Sequence, residues 1–507
     1  MLTVKHTHKQ YQEFIQVYLE HFYINSFQHI TLLENRQLIS KLWSFDLTGI
    51  VSILKNSYTS SNKGAPPKDA VALLRSLILM THVGQTSIHE WVKILKTNPL
   101  YSILSGFYPA CYSLPEAEGY FADSLPGVGT FYDFQNRLLN EDRRYKKSRL
   151  LKLKRKPKKK QKKNQKMDAP KTTITERLVK RVLRYDHSKL PETLESKLNQ
   201  ALKDLFVIPA TRLGLLGNPN NLNIAGDGTL IATHASHYGK KVCSCEGKCN
   251  CKRLFNDPYA SWGWDSFREC YVYGHGFHCF TSSDSQFDLP LHIKTVSSKR
   301  HDSITGIYAL KELRDLYTEF KFNTAAFDSA YDFYSFYVQC NHYSIIPIID
   351  LNSRNSKPDS GNEFIKLNDN GIPYCKTCNH KLRNWGIIRK SNRRKWLFPV
   401  QCDTCTKCDS TSKKSYYQPL SCNLRYFGPI LRGSKQWKIH YRQRPKTERV
   451  WDKVKNDFHG SSAKVYTKEL RTIRVFLGCF CAYIDAIAKV SPADIYDIFP
   501  MLLKKTA

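Results

Sequence analysis

Residues 223–233 read NIAGDGTLIAT, an apolar, β-branched run around Asp227, with Gly226 and Gly228 on either side. A second run, 323–332 (NTAAFDSAYD), rises through apolar residues to Asp328 and stops at polar ones. Short apolar runs of this kind are the pattern of buried strands in a parallel or mixed sheet. Charges rarely sit inside such strands for structural reasons, so both aspartates are candidate site residues. Taken alone, Asp328 reads equally well as a helix N-cap or turn residue. Working outward, 269–281 and 290–297 read as strands and 303–319 as an amphipathic helix. The run ending at Asp328 is then followed by a helix and by a strand at 343–351. The order βββαβαβ predicts a mixed α/β core with a five-stranded sheet flanked by helices.

Downstream stands YRQRPKTERVWDKVK, in which Tyr441, Arg444, Glu448 and Lys455 fall at the spacing Y-x2-R-x3-E-x6-K. A carboxylate can hold a hard cation through oxygen, while Arg grips phosphate as a fork and Lys as a point charge. Glu448 and Lys455 are seven apart, two turns along one helical face. Pro445 favours the first helical position, which makes Arg444 the N-cap and leaves Tyr441 at a strand end before the helix. The positive end of that helix favours a phosphate nearby.

These pieces together resemble the bacterial insertion-sequence transposases of the DDE class, in the group that carries the Y-R-E-K box. The matching segments are GDGT around Asp227, YGHGFH at 273–278, FDSAYD around Asp328, and the box from Tyr441 to Lys455. The resemblance covers roughly residues 65–490. It implies an RNase H-like (retroviral-integrase-like) catalytic core in which Asp227, Asp328 and Glu448 hold two Mg²⁺ or Mn²⁺ ions, about 4 Å apart in two-metal sites. It implies cleavage at inverted-repeat ends and strand transfer into target DNA, with Tyr441, Arg444 and Lys455 gripping the end. The implied partners are double-stranded DNA and a second copy of the chain in an end-synapsed homodimer. A bacterial, nucleoid-associated protein follows. Two other readings stay open: a stand-alone Mg²⁺-dependent nuclease on the same fold, and an inactive zinc-ribbon DNA-binding regulator.

The whole chain agrees with a polyanionic partner. Its 507 residues suffice for about two to four structural units. A hydrophobic share of 41% and 29 tyrosines exclude a disordered scaffold. The net charge of +34 points to nucleic acid. No apolar run is long enough to span a bilayer, and the opening MLTVKHTHKQ lacks a signal-peptide core. The expectation is a cytoplasmic protein that does not engage membrane.

Sixteen cysteines in such a chain are reduced thiols or metal ligands rather than disulfides. Cys375-x2-Cys378 and Cys402-x2-Cys405, 23 residues apart, are two knuckles suited to structural Zn²⁺, and Cys408 could stand in for Cys405. Cys243, Cys245, Cys249 and Cys251 are denser. Their C-x-C pairs strain a single tetrahedral site, so zinc, shared ligands and a redox-labile loop all stay open.

Five regions follow. Residues 1–142 read as an all-helical domain, with helices over 69–81, from the Ser87-x-x-Glu90 capping box to Pro99, and from Thr130. Such a set suits a helix-turn-helix reader of DNA ends or an ordinary helical subdomain. Residues 143–170 form a basic linker, with 15 Lys or Arg among the 24 residues 143–166. Residues 171–351 hold the first part of the catalytic core with a Cys-rich loop at 240–255. Residues 352–436 form the zinc-knuckle insertion, and 437–507 complete the core with the Glu448 helix.

Overall fold

The computed structural model describes residues 2–26, 28–59, 64–109, 122–140, 148–157, 172–353, 360, 362–398 and 415–506. Its centre is a mixed sheet of β1 (Leu222–Ala232), β2 (Ser261–Asp265), β3 (Cys270–Ser282), β4 (Pro290–Ser297), β5 (Phe322–Phe327) and β6 (Ile346–Ile349). β1 runs antiparallel to β3, with Asp227 opposite Cys279, and parallel to β5, which in turn runs parallel to β6. β4 and β2 lie end to end along the other edge of β3, since Gly274 faces both Ala232 and Ser261 while His275 faces both Ile231 and Ser297.

The expected five strands are therefore six. The extra strand, SWGWD, is too short and polar to read as an apolar run. It is held in place by aromatic packing, with the Trp262 ring 5.2 Å from that of Tyr273. β1 needs its glycine at 226: a Cβ there would lie 2.5 Å from the Phe327 ring and 2.9 Å from that of Phe280, two rings packed edge to face. The helix Asp302–Leu316 carries the chain from β4 to β5, and Tyr334–His342 makes the crossover that parallel β5 and β6 require.

Helices from both ends of the chain complete the core. Lys468–Val490 is buried along most of its length and packs on β4 and on the helix Ala70–His82. The Tyr483 hydroxyl donates to the Pro290 carbonyl at 2.8 Å. Ala70–His82, capped by Asp69, is buried on all sides, so it is a core helix with no face left for solvent. Its neighbour begins where the capping residue Ser87 predicts, at Ile88, and runs to Thr97. Val128–Leu138 starts two residues before Thr130. One apolar cluster runs from Leu2 through the sheet to Leu502.

Within 352–436, a hairpin (Ile365–Leu367 with Pro373–Cys375) and a three-stranded sheet (Arg383–Ile388, Arg393–Leu397, Ser415–Pro419) surround a small core of their own. Arg425 ties this unit to the segment after β5 through two bonds to Asp332, at 2.7 and 2.6 Å. Among the described residues no helix is long and apolar enough to cross a membrane.

Candidate active site

The register of the sheet aligns the carboxylates. Ala225 of β1 pairs with Ala326 of β5, which pairs with Ile348 of β6. Two residues further along each chain come Asp227, Asp328 and Asp350. Side chains alternate along a strand, so Asp227 shares the face of Ala225. That face packs against Trp437 and Tyr441, in one cluster with Ala225, Ala326 and Ile348.

Asp227 Oδ1 accepts from the Gly228 N–H at 2.8 Å. Asp328 Oδ1 accepts from the Ala330 N–H at 3.0 Å and caps the turn Ser329–Tyr331. The turn role and the place at the site hold together for this residue. The neighbouring Asp332 is different: Arg425, Tyr337 and the Asn352 N–H occupy its carboxylate, and it is a structural anchor.

Glu448 reaches the same face from the helix Pro445–Asp452, with Arg444 at its N-cap position and Pro445 in its first turn. Basic side chains fix that helix to the turn between β3 and β4. Lys446 Nζ donates to the Ser283 and Ser285 carbonyls, both at 2.7 Å, and Lys453 Nζ to that of Phe287 at 2.8 Å. Arg449 forms a fork on Asp288 at 2.8 and 2.9 Å. Trp451 Nε1 donates to the Asp227 carbonyl at 3.4 Å. Two details depart from the sequence reading. Tyr441 ends a helix, Lys435–Tyr441, rather than a strand. Lys455 lies in a π-helical turn, Lys453–Asp457, and its ammonium donates to the Thr229 hydroxyl of β1.

Arg444 pairs with Glu448 at 2.8 Å. Burial works against the charge on Arg444, but Glu448 and then Asp227 stabilise it and hold its pKa above the usual value. Burial, followed by the charges of Asp328 and Asp302, pushes the Asp227 carboxyl up to about 7. Burial also raises Asp328, against the Ala330 N–H and Arg444 and with the help of Glu448.

Asp302, at the start of the helix after β4, is raised to about 6 by burial, with Asp328 adding to the effect. A Cβ on Gly228 would lie 2.1 Å from Asp302 Oδ1, so the missing side chain is what lets this carboxylate reach β1. Asp302 and Asp350 were not legible as site residues. The signal for Asp302, an acidic residue opening a helix in RHDSITG, is ordinary in any helix. Asp350 is recognised only through the register of β6 with β5 and its hydrogen bond with Tyr441.

Crowded carboxylates with raised pKa values are a donor set of hard oxygens, and a divalent cation relieves their repulsion. By chemistry such oxygens suit Mg²⁺ or Mn²⁺ rather than a soft metal, although among the described residues the one group of potential ligands whose atoms all lie within 4.8 Å of one another is made of cysteines, not of these carboxylates. The cysteines form separate groups. The Sγ atoms of Cys243, Cys245, Cys249 and Cys251 all lie within 4.8 Å of one another. Cys375 is buried among Ile365, Ile372, Leu382 and Trp396, with Cys378 packed against them. Cys402, Cys405 and Cys408 lie outside the described residues.

The family model described as the transposase DDE domain matches residues 223–484, more than half of the chain and the span from β1 to the Lys468–Val490 helix. The chain belongs to the transposase DDE-domain family. Among curated proteins, none matches this transposase significantly. Among solved structures it is similar to a piggyBac transposase in a synaptic complex with hairpin DNA, determined by cryo-electron microscopy. The likeness has 9% identity and a TM-score of 0.31, covering 92% of this chain and 81% of the other. The assignment of the transposase rests on its sequence match.

Proposed function

We propose that this transposase cuts DNA at the inverted-repeat ends of a mobile element and joins the freed ends to target DNA, with Asp227, Asp328 and Glu448 as the catalytic carboxylates. One observation carries the reading: Asp227 and Asp328 emerge side by side from parallel strands beneath the helix that bears Arg444 and Glu448. The strand order, with antiparallel β4–β3–β1 continued by parallel β5 and β6, supports an RNase H-like core. Asp227, Asp328 and Glu448 would hold Mg²⁺ or Mn²⁺, which when bound would supply Lewis-acid polarisation of the phosphodiester and a more acidic water.

Water oxygen adds to phosphorus as the P–O3′ bond breaks, leaving a 5′ phosphate and a 3′ hydroxyl. In joining, that hydroxyl attacks a target phosphodiester and a target 3′ oxygen departs. Arg444 lies beside the carboxylates with its charge secured by Glu448, ready to orient a phosphate. Tyr441 and Lys455 flank it on either side, and by this reading they complete the grip on the end. The partners are duplex ends and target DNA, assembled by a homodimer. Cys375 and Cys378 would supply two thiolates to a structural zinc in the 352–436 unit.

Asp227→Asn and Glu448→Gln each remove a metal-binding charge with little change of shape. Both are expected to abolish nicking and joining of end-containing duplexes while binding them like the parent. Cleavage at parental rates in either variant refutes the assignment. A joining assay with pre-cut ends and circular target DNA separates a transposase from a nuclease that only cuts.

A further inference from the structure

The dense cysteine group has a place in the fold that its spacing did not suggest. Residues 242–252 form the loop between two short antiparallel strands, Lys240–Lys241 and Arg253–Phe255. The third strand of that small sheet is Arg149–Leu151, from the basic run expected to be a linker. Beyond it the segment stays docked. Lys154 Nζ donates to the Pro258 and Ala260 carbonyls at 2.7 and 2.6 Å, and Trp262 Nε1 donates to the Lys154 carbonyl at 3.3 Å. Arg155 reaches Asn250 in the cysteine loop at 3.4 Å, and Lys156 lies 5.5 Å from the centre of the Tyr271 ring. Trp262 and Tyr271 belong to β2 and β3, so the basic segment is fixed to the edge of the catalytic sheet.

The thiols have no apolar core to explain their meeting: Cys245 is exposed and the other three are part-buried. Cys243 and Cys249 approach to 3.4 Å, and Cys245 and Cys251 to 3.6 Å. Zn–S bonds of about 2.3 Å in a tetrahedron place sulfurs about 3.8 Å apart, so one ion fits all four. On these segments Arg149, Lys152, Arg155, Lys156, Lys240 and Lys252 are all exposed.

We propose that Cys243, Cys245, Cys249 and Cys251 hold a single zinc ion, and that this zinc loop is the dock that fixes residues 149–156 as a phosphate-binding segment beside the central sheet. The partner is duplex DNA, which rests on the proposed function; the zinc and the docking do not. Zinc stabilises the folded loop directly, and the docked strand then presents its cations in a fixed row instead of a solvated tail.

The test uses the full chain purified with zinc and the double variant Cys243→Ser/Cys249→Ser. The variant is expected to hold one zinc fewer per chain and to exchange the amides of Arg149–Leu151 at least tenfold faster, with the amides of β1 and β3 unchanged. Its log affinity for a random duplex should fall less steeply with log salt, by about 0.9 for each phosphate that the strand no longer neutralises. Cys249→His, which keeps a ligand, should restore zinc and protection. Unchanged zinc content, or thiols found paired as disulfides, overturns the site. Zinc lost without faster exchange at Arg149–Leu151 overturns the docking. Both behaving as expected with an unchanged salt slope overturns the DNA role. Failure of the transposase reading shows elsewhere, as cleavage surviving Asp227→Asn.

Discussion

At the scale of single residues, the site depends on where charge is placed and where a side chain is absent. Arg444→Ala and Lys455→Ala leave Asp227, Asp328 and Glu448 intact, so Mg²⁺ binding should persist. Each removes a cation from the mouth of the site, and misplacing a reacting group by about 1 Å can cost about a hundredfold in rate. End cleavage and joining are therefore expected to fall by about that factor, while affinity for random duplex, carried by the +34 chain as a whole, changes little. Near-normal end processing in both variants, measured with labelled end duplexes, would remove the box from the site. Gly228 makes the opposite kind of case. Its Cβ would lie 2.1 Å from Asp302 Oδ1, so Gly228→Ala must move a part-buried carboxylate. Overpacking of this kind costs about 1–3 kcal/mol. Thermal unfolding should show that loss together with weaker Mn²⁺ binding by titration calorimetry; a variant that melts and binds Mn²⁺ like the parent would mean Asp302 is not part of the site.

At the scale of elements, the sequence was informative wherever one strand or helix declares itself locally. Asp227 could be read because it interrupts an apolar run in the middle of a strand, Asp328 because it ends one, and Pro445 marked the start of the Glu448 helix. What depends on distant partners was not legible. β2 is a strand only because β3 extends far enough to pair with it, and Arg149–Leu151, within the expected linker, is a strand only beside Arg253–Phe255. Tyr441 sits at a helix end because Trp437 anchors Lys435–Tyr441 on the sheet, with the two rings stacked at 4.8 Å. The five strands inferred from apolar periodicity thus missed the one built from WGWD. A local signal also sets the start of the central helix. Asp69 Oδ1 accepts from the Val71 N–H at 3.0 Å, and loss of such a cap costs about 1 kcal/mol. Asp69→Ala should therefore lower the melting temperature of the whole chain by about 1 °C without changing DNA cleavage per folded molecule; an unchanged melting temperature would mean the cap is idle.

At the scale of the molecule, one apolar core joins the N-terminal helices, the catalytic sheet and the Lys468–Val490 helix, so the carboxylates titrate within a unit whose folding they influence. Asp227 and Asp302 have folded pKa values of about 7 and about 6, well above those of unfolded aspartate. Between about pH 4 and 7 the folded chain therefore binds more protons at these groups than the unfolded chain, and their effect is a stability that falls as pH rises. Buried His278 and His82, lowered by desolvation to about 3 and about 4, act in the opposite sense, and their effect is complete once the pH passes the ordinary histidine range. A simple melting curve against pH mixes the two. The difference between melting temperatures with and without Mg²⁺ isolates the carboxylates, because a metal ion binds their ionised forms. That difference should be small at pH 5.5, grow through pH 7 and level off near pH 8. In Asp227→Asn, which cannot ionise there, it should shrink and lose most of its pH dependence. A Mg²⁺ effect that is constant from pH 5.5 to 8 in the parent chain would show that these carboxylates do not form the metal site.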